Sequence, residues 1–369
     1  FSGVISGDGG LTKAGTGTLT LSGVNTYIGT TSITAGTLQM GLSNAVPAGV
    51  LEVQTDGTFD LNDFSQTVTD LSGAGAVTLG SATLTAGSTN DITFSGVISG
   101  TGGLTKVGTG TLTLSGENLY SGTTTVNGGV LKAGAAGAVP TGALTVGADG
   151  TFDLNNFAQT VTDLSGAGAV TLGTATLTAG ATNDSTFSGV ISGDGGLTKA
   201  GAGTLALSGA NTYSGSTIVS AGVLSLQSDD ALGTSQVSVS DATLQLALDG
   251  LSISNDIELQ SSTSAIATDN NDATLSGVVS GTAGLTKAGT GTLTLSGANT
   301  YTGTTTVTAG TLQLGAASAL KAGALTVGAD GTFDLNNFAH TVTDLSGAGA
   351  VTLGSATLTA GSTNDTTFS

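Results

Sequence analysis

Few residues in this 369-residue sequence have the chemistry of an active site. It contains one histidine, His340, no cysteine and no arginine, and all six basic residues are lysines. Catalytic triads and zinc sites built on histidine need several such side chains close together. The segment His340-Thr-Val-Thr-Asp also corresponds to segments that begin with Gln66 and Gln159. We therefore interpret His340 as an outward-facing variant of a glutamine position.

The strongest resemblance to a catalytic carboxylate pair is Asp60 with Asp63, since glycoside cleavage uses two opposed acids. Two further copies of this segment have Asn156 and Asn337 in place of the second acid. Asp at such positions is typical of turn capping. The sequence therefore predicts no catalytic residue, no cofactor and no enzyme activity.

One stretch, from Ser225 to Asp272, differs in composition from the rest. It contains eight of the 25 acidic residues and no lysine. We interpret it as a diverged segment with a solvated acidic face, and the alternative is a site for calcium or a cationic ligand. The weak candidate metal ligands are Asp229, Asp230, Asp269 and Asp272.

The charge balance limits the classes of partner that this chain is expected to bind. Six basic residues stand against 25 acidic ones, which gives a net charge of −19. Nucleic acids and anionic membranes attract clustered Lys or Arg, so we expect neither as a partner. No apolar run approaches the roughly 20 residues of a spanning helix. Because the chain starts at Phe1 without a leader, we expect a fragment or a processed protein.

The sequence repeats with a long period. Phe-Ser-Gly-Val-Ile-Ser-Gly or a close variant begins at Phe1, Phe94, Phe187 and Leu275, and a further copy starts at Phe368. We divide a single β-helical body, residues 1–369, into four copies: the first (1–93), the second (94–186), the third (187–274, diverged and acidic) and the fourth (275–367). A fixed period of this kind is typical of repeat architectures.

Inside each copy a shorter rhythm predicts the fold. Strands predicted at Thr18–Leu21, Thr37–Met40, Thr58–Leu61 and Ala76–Leu79 follow one another with a period of roughly 20 residues, the size of one solenoid coil. Leucines alternate with threonines, so leucines should face inward and threonines outward. We predict an all-β, right-handed parallel β-helix of about twenty coils. Gly23, Gly36 and Gly57 should supply turns with positive φ.

A second fold stays open. An antiparallel barrel or sandwich would contain Asp-Gly hairpin turns. Asp56-Gly57, Asp149-Gly150 and Asp330-Gly331 are compatible with it.

Two sets of side chains occur at one position in every copy, and we interpret both as structural. They are the lysines Lys13, Lys106, Lys199 and Lys287, and the tyrosines Tyr27, Tyr120, Tyr213 and Tyr301. We expect each tyrosine ring to pack while its hydroxyl bonds loop backbone; the alternative is an aromatic platform for sugars. Outward threonines such as Thr18 and Thr20 could bind carbohydrate or ordered water, but neighbouring coils present Gln39 and Asp60.

The segment Gly284–Gly315, with Gly-Leu-Thr-Lys, Gly-Thr-Leu-Thr-Leu-Ser-Gly and Asn-Thr-Tyr in order, recurs near residues 10–41, 103–134 and 196–226. It resembles the autotransporter-associated β-strand repeat, also called the passenger-associated transport repeat. The resemblance implies a β-helical passenger of a Gram-negative autotransporter, located at the bacterial cell surface or outer membrane or secreted. It also implies a C-terminal translocator barrel, absent here, as a partner.

These observations predict a structural or adhesive stalk that supports passenger folding and export. The expected external partner is a host-cell or extracellular surface ligand. The alternatives are a carbohydrate- or host-surface-binding adhesin that uses outward Thr or Tyr rows and, third, a polysaccharide-active enzyme.

Overall fold

Short alternating segments of Leu, Val and Thr form β-strands along the whole chain. The structure, a computed structural model, describes residues 1–87, 89–180, 182–361 and 368, and the regular secondary structure of these residues is β-strand throughout. Contacts group the chain into two compact units, Phe1–Thr178 with Ser188–Ser192, and Ala179–Phe187 with Gly193–Ser369. Strands pair in parallel within each unit.

The first half of the strand order is β1 (Leu11–Lys13), β2 (Thr18–Leu21), β3 (Thr31–Met40), β4 (Val50–Asp60), β5 (Gln66–Val68), β6 (Asp70–Gly73), β7 (Ala76–Thr78), β8 (Leu84–Ala86), β9 (Ile92–Phe94), β10 (Val97–Gly100), β11 (Leu104–Lys106), β12 (Thr111–Leu114), β13 (Leu119–Tyr120), β14 (Thr124–Val126), β15 (Gly129–Ala133), β16 (Leu144–Val146), β17 (Gly150–Asp153), β18 (Gln159–Val161), β19 (Leu164–Gly166), β20 (Ala169–Thr171) and β21 (Leu177–Ala179).

The second half is β22 (Ser185–Phe187), β23 (Val190–Ser192), β24 (Leu197–Lys199), β25 (Thr204–Leu207), β26 (Thr217–Val219), β27 (Val223–Leu226), β28 (Val237–Val239), β29 (Thr243–Leu246), β30 (Leu251–Ile253), β31 (Ile257–Leu259), β32 (Ala265–Ala267), β33 (Ala273–Leu275), β34 (Val279–Gly281), β35 (Thr286–Ala288), β36 (Thr292–Leu295), β37 (Thr305–Leu314), β38 (Ala324–Asp334), β39 (His340–Val342), β40 (Asp344–Gly347), β41 (Ala350–Thr352) and β42 (Leu358–Ala360).

The strands stack as the sequence predicts. In the first unit Thr18 pairs with Thr37, Thr37 with Thr58, and Thr58 with Ala76, so the predicted strand starts are the actual register partners. Side chains alternate, and the leucines, valines and phenylalanines of the inner face are buried. The chain is thus a parallel β-solenoid. The described residues form about 17 turns rather than twenty, and the right-handedness of the solenoid stays a prediction.

The antiparallel alternative is wrong. Asp56 and Gly57 do not form a hairpin turn; they lie inside β4 and pair in parallel with Ala35 and Gly36 of β3. Asp330 and Gly331 lie inside β38 in the same way.

The glycine prediction is correct at Gly36, where φ is +70°, and wrong at Gly23 and Gly57. Those two have ordinary φ but sit against the backbone of the preceding turn. A Cβ on Gly23 would lie 2.0 Å from the carbonyl oxygen of Gly3. Close approach between turns, not turn conformation, therefore requires glycine at these positions.

Equivalent residues of successive copies do not stack on one another. In the first unit, the column of register partners that starts at Lys13 runs through Ile33, Val53, Gly73, Phe94 and Leu114. Lys106 instead lies in a different sheet, in the column that contains Val68 and Ala86. Because one copy does not complete a whole number of turns, each new copy in this unit starts on another face.

Candidate functional site

Each repeated lysine lies inside the solenoid. In β11 the alternation turns Thr105 outward and Lys106 inward, where its side chain is 1% exposed. Its ammonium donates to the carbonyl oxygens of Val107, Gly108 and Gly128 at 2.8, 3.0 and 3.0 Å. Three acceptors match the three N–H bonds of an ammonium group. The site is therefore a closed cradle with no donor left for a ligand.

The other three lysines have the same partners at equivalent positions. These are Ala14, Gly15 and Ala35 for Lys13, Ala200, Gly201 and Ala221 for Lys199, and Ala288, Gly289 and Ala309 for Lys287. The cradle also needs glycine beside it. A Cβ on Gly36 would lie 2.6 Å from the Nζ of Lys13.

A carboxylate near three of the cradles was not recognised from the sequence. Asp91, Asp184 and Asp272 occupy one repeat position, and each accepts the backbone N–H of a threonine at 2.8 Å. Burial lowers the pKa of Lys287 to about 8, and the charge of Asp272 opposes that shift. Burial also lowers the pKa of Lys106 and of Lys199, again opposed by the nearby aspartate. The available signal was that these aspartates recur in step with the lysines.

The tyrosines are buried as well, with 0 to 3% of each side chain exposed. Their hydroxyls bond the Oγ1 of the threonine four residues later at 2.6 to 2.7 Å, not loop backbone, so that part of the prediction is wrong. Burial raises the pKa of Tyr213 to about 12, and the bonds to Thr217 and Ser235 oppose this. A sugar cannot stack on a ring enclosed in the core, so the aromatic platform is excluded.

A buried asparagine lies two residues before each tyrosine, and in three of the copies it joins three turns. In the second copy Asn118 Oδ1 accepts the N–H of Ile98 at 2.8 Å, and its Nδ2 donates to the carbonyl of Ala138 at 2.7 Å. Asn25 and Asn299 make the same pair of bonds in their copies. Buried amides need such partners, and here the partners lie one turn back and one turn forward.

The outward threonines form a row that the sequence prediction missed. In the first unit six hydroxyl side chains occupy the same register position on successive turns: Thr67, Thr85, Thr105, Thr125, Thr145 and Ser165. Adjacent strands of a sheet are about 4.8 Å apart, so the row is regular. The predicted interruption by Gln39 and Asp60 exists on another sheet, where Gln39 accepts from Thr20 at 3.0 Å and donates to Asp60 at 2.9 Å.

The four candidate metal ligands are exposed, and three of them, Asp229, Asp269 and Asp272, bind different neighbours. Asp229 accepts the N–H of Ser252 at 2.8 Å, and Asp269 accepts from the Gln245 amide at 2.6 Å. Asp272 belongs to the cradle described above. In the part of the chain that the structure describes, no three His, Cys, Asp or Glu side chains are placed to hold a metal ion. The structure therefore does not bring Asp229, Asp230, Asp269 and Asp272 together as a site.

The suspected catalytic pair caps turns. Asp60 accepts the N–H of Asn62 at 2.9 Å, and Asp63 accepts the N–H and hydroxyl of Ser81 at 2.6 and 2.9 Å. Asn156 and Asn337 make the same two contacts in their copies. An amide therefore replaces the acid without changing the structural role.

His340 does not face outward, which corrects the sequence prediction. Its side chain is 8% exposed, at a position where Gln66 and Gln159 are also buried. The ring meets Phe333 edge-on with centroids 6.1 Å apart. Its Nε2 is enclosed and has no hydrogen-bond partner among the described residues. Burial lowers the pKa of His340.

Comparisons with known proteins find a repeat family and one similar adhesin. The family model described as "Passenger-associated-transport-repeat" matches residues 11–40, 104–133, 197–226 and 285–314. The chain is similar to the adhesin BmaC autotransporter of Brucella suis biovar 1 (strain 1330), with 38% identity over 405 aligned residues. The alignment covers 100% of this chain and 12% of that relative. No solved structure matches the chain. Among the described residues there is no helix long and apolar enough to cross a bilayer.

Proposed function

We propose that this chain belongs to the autotransporter passengers that contain passenger-associated transport repeats, and that it is a stalk which presents an adhesive or effector region at a bacterial surface. The supporting observation is the inward position of the repeated lysine, tyrosine and asparagine side chains. Lysine and asparagine side chains that could have formed sites are used up by bonds that reach neighbouring turns, and each tyrosine hydroxyl is used up by the threonine four residues later. On this proposal the chain is not an enzyme, and the translocator barrel of the same protein exports it.

The relative supports the adhesive part of the proposal, since it is named an adhesin. The chain spans only 12% of that protein, so the region that contacts a host-cell or extracellular surface ligand need not lie within these residues. A stalk is expected to tolerate changes in copy number. An adhesive site is not.

Deletion of one copy tests the stalk. Removal of residues 13–105 joins Thr12 to Lys106 and restores the repeat, because the two lysines are equivalent. The protein displayed on bacteria should keep its adhesion to an epithelial cell monolayer within about twofold. Removal of residues 13–95, which does not restore the repeat, is the control for misfolding. If removal of residues 13–105 abolished adhesion while surface display stayed normal, the proposed stalk function would be contradicted.

The row from Thr67 to Ser165 favours a second candidate function, which is binding of a carbohydrate surface through regularly spaced hydroxyls. Changing Thr105, Thr125 and Thr145 together to valine keeps the shape and removes the hydroxyl groups. We would measure co-sedimentation of the purified chain with insoluble cellulose and chitin, and thermal hysteresis for binding to ice. Equal results for wild type and variant would remove this candidate.

A further inference from the structure

At the repeat position of His340, the first and second copies have a glutamine that hydrogen-bonds the preceding turn. We call this glutamine and the residues that it bonds the clip. In the first copy Gln66 Oε1 accepts the N–H of Val46 at 3.3 Å, and its Nε2 donates to the carbonyl of Val46 at 2.8 Å. In the second copy Gln159 accepts the N–H of Val139 at 3.3 Å and donates to the carbonyl of Ala135 at 3.0 Å. One amide thus holds the corner of the preceding turn through both a donor and an acceptor.

The fourth copy changes three residues of this clip at once. Leu320 and Lys321 stand where the second copy has Val139 and Pro140, and His340 stands in place of Gln159. All three positions are shifted by the same amount between the two copies, so the correspondence is unambiguous. Proline fixes its own φ, so its loss also leaves the corner less constrained. We call residues 316–323 the fourth-copy corner.

Among the residues that the structure describes, the surroundings of His340 offer no counter-charge to an imidazolium. The groove beside it is lined by alanine, leucine and threonine side chains of the fourth-copy corner and of residues 339–341, 357 and 359. Lys321 on the corner is exposed and has the wrong charge. On β38, Asp334 already accepts from Gln313 and Asn336, each at 2.9 Å. Asp330 on β38 is exposed, and Asp344 on β40 has interactions of its own.

We propose that His340 makes the fourth-copy corner open in mildly acidic medium. Protonation places a proton on both ring nitrogens, and the enclosed Nε2 has no acceptor for it among the described residues. A buried charge without a partner is strongly unfavourable, whereas the opened corner exposes the ring to water. Closed glutamine corners elsewhere in the chain have no group that titrates.

Proton linkage determines the direction in which pH shifts the equilibrium between the closed and the open corner. An exposed histidine takes up its proton near pH 6.5, while the enclosed ring does so only at lower pH. The open form therefore binds more protons, and its population rises relative to that of the closed form as pH falls below about 6.5. Between the two pKa values each pH unit changes the ratio by at most about tenfold.

Amide hydrogen exchange tests the proposal on the intact chain. After correction for intrinsic rates, protection of residues 316–323 should fall about tenfold between pH 7.5 and pH 5. Residues 135–142, held by Gln159, are an internal control and should not change. In His340→Gln, which restores the repeat residue, the pH effect should vanish.

A second measurement does not depend on the variant folding. His340 is the only histidine, so its ring proton can be followed by NMR as pH is lowered. We expect its midpoint below 6.5. Unchanged protection of the corner at pH 5 in the wild type, or an equal loss of protection in His340→Gln, would overturn the proposal. A midpoint at or above 6.5 would do so as well.

Discussion

The second and third copies share an interior and differ outside. Lys106 and Lys199 are both enclosed, and each donates to three carbonyl oxygens at 2.8 to 3.1 Å. The outward residues that stack on these strands differ: they are Thr105, Thr125, Thr145 and Ser165 in the second copy, and Thr198, Ile218, Ser238 and Glu258 in the third. Bonds between turns fix the inner face, and solvent leaves the outer face free to vary.

Loss of the buried lysine should cause the largest loss of stability in both copies. Lys106→Met or Lys199→Met leaves three inward carbonyl oxygens without their donor, and each variant should lose about 3 kcal/mol of unfolding free energy. Urea unfolding followed by circular dichroism measures the loss. Lys132→Gln is the matched control, because Lys132 is an outward lysine 3.5 Å from Asp153. That variant should change stability by less than about 0.5 kcal/mol.

If Lys199→Met unfolds like the wild type while Lys106→Met does not, the two interiors are not equivalent. The second and third copies would then not share one kind of interior.

The second-largest effect should be a loss of stability at alkaline pH, caused by the buried tyrosines. An unfolded tyrosine ionises near pH 10, whereas burial raises the pKa of Tyr213 to about 12. The folded state then keeps protons that the unfolded state loses, so stability present below pH 10 is lost as pH rises towards 12. For Tyr213 the loss approaches about 2 to 3 kcal/mol. Ultraviolet absorbance should show no phenolate until the chain unfolds; titration at pH 10 in the folded chain would contradict burial.

A smaller difference in stability between the second and third copies should appear when the tyrosine hydroxyl is removed. The hydroxyl of Thr217 bonds both Tyr213 and Ser235, whereas the second copy has Gly142 where the third has Ser235. Tyr120→Phe should therefore cost about 1 to 2 kcal/mol, and Tyr213→Phe about 1 kcal/mol less, because Thr217 keeps a partner. Urea unfolding of both variants gives the difference. Equal costs would mean that Ser235 contributes nothing.

The sequence predicted the stacking well, because register depends on a local pattern. Alternating leucine and threonine define which face is inside, and the predicted strand starts Thr18, Thr37, Thr58 and Ala76 recur as register partners in β2, β3, β4 and β7. Turn capping by Asp63 also followed from its replacement by Asn156.

The sequence could not show which outward residues meet. The row from Thr67 to Ser165 combines the end of the first copy with the second, because one copy does not complete a whole number of turns. Comparison of equivalent positions alone therefore points to the wrong neighbours. Lysine and histidine side chains are usually solvated, so polarity alone does not predict that Lys106 and His340 lie inside. The carbonyl groups that enclose Lys106 become evident only in the folded structure.

The most direct test exchanges the outer face and keeps the inner one. The triple variant Thr125→Ile, Thr145→Ser and Ser165→Glu gives the second copy the outward residues of the third. Because these side chains make few contacts that define the fold, urea unfolding should shift by less than about 0.5 kcal/mol, against about 3 kcal/mol for Lys106→Met. A loss in the triple variant as large as that of Lys106→Met would contradict the division between a fixed interior and a variable exterior.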